Sequence, residues 1–85
     1  MKKEQKMRGH YDIYKDGIRI SQGNLTRDYD TVGKRIPALQ GAVTRQAKRA
    51  ARTLQADHVD IFLHFSCLPA GPYLTRHIGM MDVHS

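Results

Sequence analysis

The pair Asp16-Gly17, set in HYDIYKDGIRISQ, does most to limit what this chain can fold into. Asp-Gly between alternating apolar residues is the chemistry of a two-residue type I′ turn, because both central residues need positive φ. The chain must therefore build an antiparallel sheet from a hairpin near its start. Counting outward from the turn sets Tyr14 opposite Arg19, Ile13 opposite Ile20, and Tyr11 opposite Gln22. Tyr11, Ile13, Ile18 and Ile20 then share one face, and Asp12, Tyr14, Arg19 and Ser21 the other.

From Gly23 to Arg35 the text turns polar and is broken by Gly23, Asn24 and Gly33. It reads as a loop able to hold one short extended piece, with Leu25, Tyr29 and Val32 as anchors. Pro37 suits the first turn of a helix, where its missing N–H costs nothing. The helical period then runs to about Ala56, with Ile36, Leu39, Val43, Ala47, Ala50 and Leu54 in one stripe. Arg45, Lys48, Arg49 and Arg52 fall on the opposite side. The alanines Ala47, Ala50 and Ala51 keep the buried side thin, so the helix can lie close to a sheet.

After Asp57 the period becomes two. In HVDIFLHFSC one face carries Val59, Ile61, Leu63, Phe65 and Cys67, and the other His58, Asp60, Phe62, His64 and Ser66. LPAGP ends that strand, and PYLTRHIGMM reads as a fourth strand with Leu74, Ile78 and Met80 on the core side. Arg76 stands among them, as an inward cation can on an edge strand. The expected fold is α+β: β-hairpin, one amphipathic helix, β-hairpin, with the helix packed on one face of an antiparallel sheet. Residues 10–85 form a single small domain, for which 85 residues supply one core. Residues 1–9 carry Lys2, Lys3, Lys6 and Arg8 against Glu4 alone and read as a mobile basic arm.

Charge and composition then narrow the function. Fourteen Lys and Arg stand against eight Asp and Glu, a net charge of +6, and Thr31 to Ala56 holds six cations and no acid. One cysteine, Cys67, forbids an internal disulfide and fits a reducing, cytoplasmic setting. The charged MKKEQKMRG is not followed by the apolar run of a secretory signal. No apolar stretch approaches the roughly 20 residues that cross a bilayer, so no membrane partner is expected.

Five histidines raise the question of a metal. His58 and His64 share a face but stand about 20 Å apart along an extended strand, too far to share an ion. A metal would need a cross-strand set such as His64, His77 and Asp60, and solvated histidines on an open sheet face are the simpler reading. Nothing fixes a His–His or His–Lys pair for acid–base cleavage of RNA. Cys67 reads as a small buried hydrophobe rather than a nucleophile. With no nucleophile elbow, phosphate-cradling glycine loop or H-E-x-x-H, no enzyme and no cofactor are expected.

Two surfaces remain for binding. The outer sheet face would hold Tyr14, Phe62 and Tyr73 with His64 and His77, where aromatics can stack bases or anchor a protein contact. On the helix, Arg45/Lys48, Arg45/Arg49, Lys48/Arg52 and Arg49/Arg52 are like-charge neighbours costing roughly 0.2 to 0.5 kcal/mol each. The helix dipole and salt relieve part of that cost, but a helix selected for stability alone would interleave glutamates. The cations therefore point to an anionic partner, either nucleic acid bound without sequence preference or an acidic protein or nucleoprotein surface. No helix-turn-helix, zinc-finger, RRM, KH or dsRBD pattern fits this element order.

From Tyr11 to Met80, the order hairpin, amphipathic helix, hairpin, without a catalytic set, resembles the small anti-CRISPR proteins carried by phages and mobile elements. The resemblance is one of element order; those proteins share no common motif, and no residue role is carried over. It implies a non-enzymatic inhibitor, in the cytoplasm of a bacterial host, that docks on a CRISPR effector complex or its nuclease. Several such inhibitors imitate DNA with acidic surfaces, which a +6 chain cannot do. The expected docking surface is Arg45, Lys48, Arg49 and Arg52, and the alternative is nonspecific nucleic-acid binding by the same face and the arm.

Overall fold

The computed structural model of the chain describes residues 5–29, 35–65 and 74–84. Its elements run β1 (Gln5–Lys15), β2 (Ile18–Tyr29), α1 (Arg35–Thr53), β3 (His58–Phe65) and β4 (Leu74–Asp82). The four strands form one antiparallel sheet in the order β2-β1-β3-β4. The helix packs against β1, β3 and β2 and leaves β4 uncovered. The architecture is α+β, as the sequence pattern predicts.

The first turn forms as its chemistry requires, with Asp16 at φ 52° and Gly17 at φ 78°. Tyr14 pairs with Arg19, but the register then shifts, so that Ile13 faces Ser21 and Tyr11 faces Gly23. Ile20 is left over as a bulge. The bulge corrects the predicted faces: Tyr11 and Ile13 are buried, whereas Ile18 and Ile20 stay 67% and 44% exposed. One inserted residue turns the rest of β2 over, and Leu25 now packs on the core.

Two expectations about segments are corrected. Gly23 to Tyr29 is not loop but the second half of β2. Gly23 sits there because the Tyr11 ring lies over it, where a Cβ would collide with the phenol. Gln46 Nε2 donates to the Tyr11 hydroxyl (3.4 Å) and to the Asn24 carbonyl (3.3 Å), tying α1 to both strands. The basic arm likewise does not extend to Gly9: residues from Gln5 on belong to β1, and Met7 is fully buried. At Gly9 an added Cβ would stand 2.7 Å from Val43, so the glycine lets the helix cross β1 closely.

Leu39, Val43, Ala47 and Ala51 are buried on α1, with Ile36 and Ala50 packed at their margin. The helix stops at Thr53 rather than Ala56. Gln55 takes φ 57°, its N–H donates to Arg52 O (3.1 Å), and Ala56 N–H donates to Ala51 O (2.8 Å). That is a Schellman ending with glutamine where glycine is usual. It brings buried Ala56 under Ala51 and turns Leu54 outward, 44% exposed, so Leu54 is not the core residue its spacing suggests.

On β3, Val59, Ile61 and Leu63 face the core as predicted. On β4 a second register shift pairs Phe62 with His77 and Ile61 with Gly79, leaving Ile78 as the extra residue. Ile78 and Met81 pack on the core, whereas Leu74 and Met80 are exposed, which corrects the face assigned to β4. Arg76 is exposed, since no helix lies over this edge strand. Val83, just past β4, is fully buried, its N–H donating to Asp57 O (2.9 Å).

Candidate binding surfaces

Arg45, Lys48, Arg49 and Arg52 lie together on the side of α1 turned from the sheet, and with Thr53 they line one shallow, open groove. Geometry alone brings them there, because the buried residues Leu39, Val43, Ala47 and Ala51 orient the opposite side to solvent. No carboxylate lies within ion-pair distance of any of them among the described residues. The Arg52 guanidinium is tied back to the end of the sheet, its Nη2 donating to Val83 O (3.3 Å). Thr53 Oγ1 donates to Arg49 O (3.1 Å). The Arg45 guanidinium folds near Gly41, where an added Cβ would stand 3.3 Å from Nη1. The first turn of the helix carries no acid, and its last turn carries Arg52.

The second surface is the sheet face away from the helix. The registers line up rows across it: Thr26, Arg8, His64, Thr75; then Asn24, His10, Phe62, His77; then Gln22, Asp12, Asp60, Met80; then Arg19, Tyr14, His58, Asp82. Phe62 is at the centre. Its ring stacks on His77 at 4.6 Å between centroids and 17° between planes, and His10 stands on its other side at 5.9 Å. His10 Nε2 donates to Asp12 Oδ1 (2.9 Å), and its Nδ1 lies 3.1 Å from Asn24 Oδ1. His77 Nε2 donates to Asp60 Oδ1 (2.6 Å). Asp12 and Asp60, register partners only 8% and 9% exposed, thus anchor the two imidazoles, and Arg19 adds a longer contact to Asp12 at 3.8 Å. Of the aromatics expected here, Phe62 joins this cluster, Tyr14 stands two rows away beside His58, and Tyr73 lies outside the described residues, as does Cys67.

The four histidines of the open sheet face are bonded rather than merely solvated. Besides the two above, His58 Nδ1 donates to Asp57 Oδ1 (3.0 Å), and His64 Nδ1 lies 3.0 Å from Thr75 Oγ1. The His58 hydrogen bond, with the N–H of Asp16, holds the Asp57 carboxyl below the usual aspartate range. Desolvation, then Coulombic repulsion from Arg8 and from the neighbouring His10, pushes the His64 imidazole below its ordinary value. Asp60 and His77 meet, but His64 turns to Thr75, and no group of three or more metal-ligating side chains gathers among the described residues.

The spacing His10-x-Asp12 on one strand face is a readable signal for the first pair. The second pair depends on the β4 shift at Ile78, which no local pattern announces. No family model, curated protein or solved structure matches the chain. None of the helices is long and apolar enough to cross a membrane among the described residues.

Proposed function

We propose that this chain is a non-enzymatic binding module that takes an anionic partner, an acidic protein or a nucleoprotein complex, on the outer side of α1. One observation carries the reading: Arg45, Lys48, Arg49 and Arg52 line a single groove, and among the described residues no carboxylate forms an ion pair with any of them. Their mutual repulsion is of order 1 kcal/mol in total, and an anionic partner would turn it into attraction. In this role the chain would act as a cytoplasmic inhibitor of a nucleoprotein machine, as the small anti-CRISPR proteins whose element order it resembles do. The alternative, nucleic acid bound without sequence preference on the same face, has less support from the N-terminus, since Lys6 and Arg8 belong to β1 rather than to a free arm.

The test is capture from the native host, with and without nuclease treatment, by the wild type and by a variant with Arg45, Arg49 and Arg52 all changed to Glu. The proposal expects a specific protein or complex to be retained by the wild type after nuclease and lost by the variant. Capture that disappears on nuclease treatment favours the alternative. Equal capture by the wild type and a folded variant rejects the helix face altogether.

A further inference from the structure

The helix covers one face of the sheet, and no described element covers the other. At the middle of that bare face the two central strands and their neighbour present three rings in a row: His10, Phe62 and His77. The rings are held in advance. Asp12 and Asn24 fix His10, Asp60 fixes His77, and Phe62 is set between them. A ligand stacking on them would order few side chains, so little entropy opposes binding.

The chemistry around the rings is specific in kind. The row beside them carries Thr26, Arg8, His64 and Thr75, and the ring row itself ends in Asn24. Neither row contains an acid, and Arg8 is an exposed cation. The aspartates of the next row are buried and bound to imidazoles. The outer π-face of His77, backed by Phe62 and near a cation and amide and hydroxyl groups, matches a ligand that alternates aromatic rings with negative charge. Single-stranded nucleic acid has that chemistry: unpaired bases stack on aromatic side chains, and phosphates meet arginine. A duplex hides its base faces, and the Asp and Glu side chains of an acidic protein surface have no rings to stack.

We infer that the open sheet face binds single-stranded nucleic acid, with a base stacked on the outer face of the His77 ring, which Phe62 backs from the other side, and a phosphate held by Arg8. The inference does not rest on the α1 reading, which concerns the opposite side of the molecule.

Fluorescence anisotropy at fixed salt tests it with three probes: an oligothymidylate, an abasic strand of the same length and charge, and a duplex. Wild type should bind the oligothymidylate at least about fivefold more tightly than the abasic strand, and more tightly than the duplex. Phe62→Leu, which removes the ring that backs His77, should weaken oligothymidylate binding at least about fivefold. It should leave the amide spectrum of the fold in place, since Phe62 is not part of the buried core cluster. If Phe62→Leu does not fold, His77→Ala on the exposed β4 edge decides the matter, with at least about a fivefold loss expected. Equal affinity for thymidylate and abasic strands, or unchanged affinity in a folded ring variant, overturns the inference. The Arg45, Arg49 and Arg52 to Glu variant should keep its preference for bases over abasic sites, so the α1 reading can fail without this one and the reverse.

Discussion

At Gly9 and Gly23 it is the missing side chain that lets the sheet pack. Val43 crosses one and the Tyr11 ring covers the other. Gly9→Ala and Gly23→Ala should each cost about 1 to 3 kcal/mol by overpacking, measured by urea unfolding. His64 carries a second residue-scale expectation. Its imidazole is depressed below the ordinary 6.5, so between pH 6.5 and its folded value the unfolded chain binds the extra proton. Its contribution to stability is therefore complete above about pH 6.5 and is lost as pH falls through the folded value. Asp57, depressed by His58 and the Asp16 N–H, acts in the same direction at lower pH, from about 3.8 downward. His64→Gln should flatten the pH dependence of the unfolding midpoint below pH 6.5 while leaving the more acidic limb, and an unchanged slope would contradict the assignment.

At the scale of elements, α1 shows how its ending decides which leucine matters. Leu39 is fully buried and Leu54 is turned out by the Schellman ending. Leu39→Ala should cost about 2 to 5 kcal/mol, and Leu54→Ala well under that, read from the same denaturation curves. Gln55→Gly should stabilise by roughly 0.5 to 1 kcal/mol, because glutamine is strained at the positive φ that glycine adopts freely. Local chemistry made much of this legible. Asp16-Gly17 announced its hairpin, the 3.6-residue period placed the basic side of α1, and the two-residue period placed Val59, Ile61 and Leu63. What stayed hidden depends on contacts distant in sequence. Ile20 and Ile78 become bulges only when their strands pair, and each reverses the faces beyond it. Gly23, which read as a breaker, and Gly9, which fell in the expected arm, are contact points for Tyr11 and Val43. The imidazole pairs of the open face follow from those registers, so only His10-x-Asp12 could be read in advance.

Across the whole molecule, one thin sheet separates two surfaces of different character. The helix side offers separated cations on a regular spacing, suited to long-range attraction that salt weakens. The open side offers rings held by buried carboxylates, suited to short-range stacking. A small protein with both could engage a nucleoprotein through its protein and its nucleic acid together, and the net charge of +6 would hasten either encounter. Partner binding by the helix side is decided by affinity for the captured partner at two salt concentrations, in the wild type and in the Arg45, Arg49 and Arg52 to Glu variant. Wild type should bind tightly, and less so as salt rises, whereas a variant whose amide spectrum shows the fold intact should not bind; unchanged binding by that folded variant would rule out the helix side as the docking surface.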